Sequence, residues 1–264
     1  MSGTHRRTWQ QYHVGHLNIT VQLDSTAEAR SVERHQELAT VARQLITTMD
    51  AERVPATWAV SDPAHSAATS LILRSAVEHE LAILGDANWV GPTAGRTRFA
   101  RELVRRVTQA RAAGIEVTTL VPGVASIEGH IDLVVKQHIT AVAGLNETDL
   151  PHAGVEPRAL HYGVWELPLT GSLPLKATWF SNGRRALWRR IERTIADAGS
   201  FHLLVDAGAM TAKRSDEATV KWLVKRVAAL RDRGLIRVEA LRQTAARLSD
   251  IPAAAPQRSI LRVA

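Results

Sequence analysis

LNITVQLD, residues 17–24, followed by an apolar-spaced run to residue 52, decides how the chain is read. Ile19, Thr20 and Val21 branch at Cβ, which favours extended backbone, so 17–24 is expected to be a strand. From 26 to 52, Ala39, Val41, Ala42, Leu45 and Ile46 supply the apolar positions of a long helix. The same pairing then repeats. PATWAV (55–60) reads as a second strand, and Ser61-Asp62-Pro63 has the cap-then-proline chemistry of a helix start. ELAIL (80–84) is a third strand. A helix over 93–113, stopped by Gly114, leads into a fourth, IEVTTLV (115–121).

Beyond this point the segments shorten. Residues 131–137 read as a small helix or strand, 139–142 and 160–167 as strands, and 171–183 as a loop without a period. A helix over 184–198 precedes FHLLV (201–205), and one over 218–233, stopped by Gly234, precedes IRVEA (236–240). A short helix is expected over 243–248. Seven or eight strands separated by helices imply a parallel sheet closed or nearly closed into a (β/α) barrel. We expect one domain over 17–250, with an N-terminal extension (1–16) and a C-terminal tail (251–264). Chemistry in such a fold gathers where strands end. That rule selects Asp24, Ser25, Asp86, Asn88, Pro122, Glu166 and Asp206.

Composition narrows the classes. The chain has 264 residues, 45% hydrophobic and 22% charged, which are ordinary globular values. It has no cysteine, which excludes disulfides, thiolate metal sites and cysteine nucleophiles. No run of 18 apolar residues suggests a membrane span, and residues 1–16 lack a signal-peptide core, so a cytoplasmic location is expected. The net charge of +7 comes largely from arginines interleaved with apolar residues on two helices. Arg96, Arg98, Arg101, Arg105, Arg106 and Arg111 form one row. Arg184, Arg185, Arg189, Arg190 and Arg193 form the other. Both read as solvated amphipathic faces. No zinc-finger, RNP-like or basic-zipper pattern accompanies them, so no nucleic-acid partner is expected.

Several strand ends come in a characteristic order. Leu23-Asp24-Ser25-Thr26 closes the first strand and His79-Glu80-Leu81-Ala82-Ile83-Leu84-Gly85-Asp86-Ala87-Asn88 spans the third. Gly163-Val164-Trp165-Glu166-Leu167-Pro168, Phe201-His202-Leu203-Leu204-Val205-Asp206 and Gly234-Leu235-Ile236-Arg237-Val238 follow. From about 17 to 248 this resembles the NodB-homology polysaccharide deacetylases. The resemblance implies a distorted (β/α) barrel of about seven parallel strands that removes acetyl groups from glycans with a divalent metal. It also implies roles. The first motif's base falls on Asp24 and its metal ligand on Ser25; a one-residue shift exchanges the two. The two histidine ligands of the second motif fall on Leu84 and Asn88. The third motif's arginine falls near Leu120, its proline on Pro122, and the acid histidine of the fifth motif on Asp206.

The metal triad is therefore broken, because leucine has no lone pair and serine and asparagine are weak neutral donors. No cofactor is expected, a divalent metal included. Asp24 and Asp206 remain as catalytic candidates, and Asp86, Asn88, Trp89, Trp165 and Glu166 as contacts for a glycan or related polar ligand. Indole faces suit the apolar patches of sugar rings. Trp58, Trp188 and Trp222 read as packing residues, His13 and His16 as a surface pair, and His202 as a backbone contact. The leading expectation is a deacetylase-like protein, metal-poor and silent or altered in catalysis. One alternative is an active hydrolase using Asp24, Asp86 and Asp206, acting on the amide bonds of acetylated sugars if it follows the family. The other is a scaffold whose arginine-lined helices bind an anionic or protein partner.

Overall fold

The computed structural model describes residues 14–23, 32–91, 93–123, 127–144, 156–174, 183–211 and 214–250. Asp24, Ser25 and His13 lie outside them, as do most of the N-terminal extension and all of the tail. On β1 (Gly15–Gln22), Leu17, Ile19 and Val21 are almost fully buried on one face and Asn18 and Thr20 on the other. A strand buried on both faces needs a layer on each side. The chain supplies helices outside and a curled sheet interior inside.

Next come α1 (Val32–Ala51), β2 (Thr57–Val60), α2 (Thr69–Leu73), β3 (Glu80–Leu84), α3 (Gly95–Ala112) and β4 (Thr119–Val121). They are followed by α4 (Ile131–Lys136), β5 (Ala141–Ala143), β6 (Arg158–Ala159), β7 (Trp165–Leu167) and β8 (Gly171–Leu173). The last third holds α5 (Gly183–Ala196), β9 (Ser200–Asp206), the one-turn α6 (Ala207–Met210), α7 (Arg214–Asp232), β10 (Ile236–Val238) and α8 (Leu241–Asp250). Among the described residues the strands form one sheet in the order β6-β7-β5-β4-β3-β2-β1-β9-β8, with β10 also on β1. All pairings are parallel except β6 with β7.

Two layers of core follow from strand alternation. Outward residues such as Trp58, Ile83, Leu120, Val142 and Leu203 meet Leu45, Phe99, Leu103 and Val224 from the helices. Inward residues are small. Ala59, Ala82, Ala141 and Ala143 join Leu84, Val121 and Leu167 against Leu241 and Ala245 of α8. Small side chains let the sheet curl tightly around one helix. The curl is visible in a single bond: His202 Nδ1 on β9 lies 3.0 Å from the Leu167 carbonyl on β7, although five strands separate the two in the sheet order. No helix among the described residues is long and apolar enough to cross a membrane.

The structure corrects several local expectations. Ser61-Asp62-Pro63 starts a turn, not a helix: Asp62 Oδ1 accepts from Ala64 N and its carbonyl from His65 N and Ser66 N, and α2 begins only at Thr69. Residues 171–173, expected in a loop, form β8, whose pairing with β9 is supplied by tertiary contact rather than local propensity. The strand expected over 160–167 is only Trp165–Leu167, after a 3₁₀ turn in which Tyr162 has φ +61°. The final helix is longer than expected, with ten residues.

Candidate functional site at the barrel mouth

Parallel strands end on one face of the barrel, and the mouth is built there. After Leu84, Gly85 crosses so close to the next strand's exit that a Cβ would sit 3.0 Å from the Pro122 carbonyl oxygen and 2.4 Å from Val90 Cγ2. Only glycine fits that crossing. It delivers Asp86 into a tight turn, where Asp86 Oδ1 accepts from Asn88 N at 2.7 Å and its carbonyl from Val90 N at 2.9 Å. Asp86 is half-buried and Asn88 exposed. Asp206, the last residue of β9, lies level with Gln22 of β1 and caps α6, accepting from Ala209 N at 3.0 Å. Asp86 and Asp206 thus stand at the same edge, each with one carboxylate oxygen engaged by a backbone N–H in these bonds.

Three other sequence candidates lie elsewhere. The turn after Asp86 folds Trp89 inward, where it is 2% exposed, packed against Phe99 at 5.6 Å, with the Arg106 guanidinium 4.6 Å from its ring centre. A sugar cannot reach that indole, so the expectation of a mouth-facing Trp89 is not met. Trp165 begins β7 rather than ending it, and its Nε1 donates to Ser249 of α8 at 3.0 Å. It belongs to the closed end of the barrel. Glu166 faces the outer side of the sheet and pairs at 2.8 Å with Arg158, which also holds Glu128 at 2.8 Å. Its alternation with the inward Trp165 and Leu167 takes it away from the mouth.

The interior residues that bear most of the polar structure were missed in the sequence. Glu80, 2% exposed, accepts from Thr57 Oγ1 at 2.8 Å, from Arg242 N at 3.0 Å and from Thr119 Oγ1. Burial pushes its pKa up, and these three donors pull against that. Thr57 in turn accepts from Leu241 N at 2.9 Å, so β2, β3 and β4 grip the first turn of α8. Nearby, Asn18 donates to the Glu239 carbonyl and to Thr244, both at 2.8 Å. His202 does contact backbone, as expected, and more. Because the Leu167 carbonyl can only accept, Nδ1 carries the proton, and Nε2 accepts from Thr20 Oγ1 at 2.8 Å. Full burial lowers its pKa to about 4. The signal was the polar residue at every second position of β1 and at or near the start of β2, β3, β4 and β9.

The described residues at the mouth do not fit a divalent metal. Leu84, at a ligand position implied by the resemblance, is an apolar interior residue, 4% exposed. Asn88 offers one neutral oxygen on an exposed turn. Leu120, near the implied arginine, points outward among the helices. Among the described residues no group of three or more His, Asp or Glu side chains could hold a metal ion.

Comparison with solved structures shows where this fold recurs. A Mycobacterium smegmatis protein assigned as a polysaccharide deacetylase is 19% identical and superposes with a TM-score of 0.65, over 89% of this chain and 90% of its own. A Bordetella bronchiseptica protein assigned as a polysaccharide deacetylase involved in O-antigen biosynthesis is 13% identical, TM-score 0.50, over 84% and 92%. The 4-alpha-glucanotransferase of Thermococcus litoralis is 11% identical, TM-score 0.54, over 82% of this chain but 37% of its own. The fold is therefore that of the polysaccharide deacetylases, a mostly parallel, curled (β/α) barrel of NodB type. No family profile matches the sequence, and no curated protein matches it either.

Proposed function

We propose that this chain is a divergent deacetylase-like protein whose mouth binds a glycan or a related polar ligand, and which is metal-poor and silent or altered in deacetylation. The observation that carries the reading is the pair Leu84 and Asn88. One is buried hydrocarbon and the other sits on an exposed turn braced by Asp86. In a metal-dependent deacetylase the ion lowers the pKa of a bound water and polarises the acetyl carbonyl. Without it, Asp24 or Asp206 would have to activate ordinary water, whose pKa is near ~16. Binding asks less of the site: Asp86 and Asp206 each retain acceptor capacity for sugar hydroxyls.

Acetate release from N-acetylglucosamine oligomers, with zinc, cobalt or nickel added in turn, tests the catalytic half. The expected result is no turnover; turnover that disappears on Asp24→Asn overturns it. A second reading, a hydrolase using strand-end carboxylates, is favoured by the common edge of Asp86 and Asp206. It requires turnover of an acetylated sugar, with or without a hard metal ion, that Asp206→Asn abolishes.

A further inference from the structure

The two arginine rows look alike in sequence and differ in what surrounds them. On α3, Arg105 lies 3.3 Å from Glu102 and 3.4 Å from Asp62, and Arg106 bonds Glu102 and the Ser61 carbonyl, both at 2.7 Å. Arg96 pairs with Asp132 at 2.5 Å and with the Gly129 carbonyl at 3.0 Å, and Arg101 is 3.6 Å from Glu102. That row is mostly neutralised by its own neighbourhood.

On α5 and α7 several cations are left open, although Arg231 at the far end of α7 pairs with Asp232 and Arg190 bonds the Thr170 carbonyl. Arg184, Arg185, Arg189, Lys225 and Arg226 are exposed, and none pairs with a carboxylate among the described residues. Arg184 and Arg226 are instead stacked on the half-buried Trp222, their guanidinium carbons 4.6 and 4.7 Å from its ring centre. Arg226 also reaches Trp188 at 5.2 Å, and Trp188 meets Trp222 edge-on at 5.8 Å. Trp188 Nε1 donates to Glu192 Oε1 at 2.5 Å, which fixes that indole and engages an acid of this flank. Two like charges are thus held on one ring. Stacking uses the guanidinium face and leaves the N–H edge free, a planar fork suited to carboxylate or phosphate.

Position adds a second argument. α5 follows β8 and α7 follows β9, so both helices start at the mouth edge and run back down the barrel's side. Arg184 and Arg185 stand in the first turn of α5, and Arg189 one turn further on. The open cations therefore begin at the rim and continue down the flank.

We propose that the α5–α7 flank is a docking track for an acidic polysaccharide, one bearing carboxylate or phosphate groups, a neighbouring unit of which occupies the mouth. The proposal rests on the glycan-binding reading above and adds the charge of the glycan. A lipid surface is disfavoured because, among the described residues, the exposed large apolar ones, Leu73, Val104, Tyr162 and Leu235, lie on neither helix of this flank. Single-stranded nucleic acid is disfavoured because the Trp222 ring is already stacked by arginine, leaving no free base platform among the described residues of this flank.

The test is a fluorescence-anisotropy titration of the full chain with labelled oligogalacturonate. Neutral chitin oligomers, duplex DNA and anionic phospholipid vesicles serve as comparators at one ionic strength. The acidic oligosaccharide should bind more tightly than DNA or vesicles, and less tightly as salt rises. Arg184→Lys with Arg226→Lys keeps the charge but removes the stacked forks, and should weaken binding about ten-fold. Trp222→Leu should do the same. Arg98→Glu with Arg101→Glu, a larger change of charge on α3, should leave binding within about two-fold, because that helix lies outside the track. Unchanged affinity in the lysine double variant, tighter binding to DNA or vesicles, or no binding of oligogalacturonate each overturns the proposal. The mouth is scored separately: loss of chitin-oligomer binding in Asp206→Asn reports on the glycan-binding reading alone.

Discussion

Glu80 and Asp86 lie six residues apart at opposite ends of β3 and live in different solvents. Glu80 is enclosed by Thr57, Thr119 and the first turn of α8, with three donors on its carboxylate. Asp86 is half-exposed on a turn, where its carboxylate accepts from the Asn88 N–H. The N-terminal end of the barrel is a sealed polar network plugged by a helix. At the other end, Asp86 holds its own turn and Asp206 caps α6. Enclosed polar groups bear on stability, because each lost partner strands another in a dry interior. Half-exposed ones are free to meet a ligand.

The largest effect that can break this contrast is at Glu80. Glu80→Ala leaves two hydroxyls and the Arg242 N–H without their acceptor, and should cost about 3–5 kcal/mol in urea unfolding at neutral pH. A loss below about 1 kcal/mol would show that water already satisfies these groups.

His202 sharpens the contrast through pH. Its folded pKa of about 4 lies below the ordinary 6.5, so the unfolded chain binds the extra proton first. The stability it contributes is complete above pH 6.5 and is lost as the pH falls toward 4, about 3 kcal/mol in all. Glu80 has the opposite sign, because its raised pKa makes acidification favour the folded state. His16, also lowered to about 4, shares the window of His202. The His202 share is therefore read as the difference in slope between the wild type and His202→Gln from pH 7 to 4. Identical slopes would mean that His202 is not enclosed.

At the mouth the expected effects are small. Asp206→Ala removes the cap of α6 and should cost about 1 kcal/mol. A cost as large as that of Glu80→Ala would make Asp206 part of the core and erase the distinction between the two ends.

Much of this framework was legible in the sequence, since helix and strand periods alternate and the glycines after α3 and α7 mark their ends. What escaped depends on three-dimensional neighbours. β8 has too little local propensity to announce itself and exists because β9 offers an edge. Trp89 reads as a mouth residue from its place after β3, yet the Asp86 turn folds it under α3. The closed end was hidden because Glu80, Thr57 and Asn18 look like ordinary strand residues until α8 is laid across them. The sequence separates the two arginine rows only in part: Glu102, on α3 itself, pairs with Arg101, Arg105 and Arg106, whereas Asp62 and Asp132, remote from α3 in the chain, complete the pairing of Arg105 and Arg96.

The central proposal is that the mouth has the deacetylase fold without the means to hold a divalent metal. Dialysis of the full chain against micromolar zinc, then against metal-free buffer, followed by elemental analysis, tests it directly. With Leu84 and Asn88 in place, retained zinc should fall well below one ion per chain. One zinc per chain that survives dialysis and disappears on Asp24→Asn or Asp86→Asn would contradict the account.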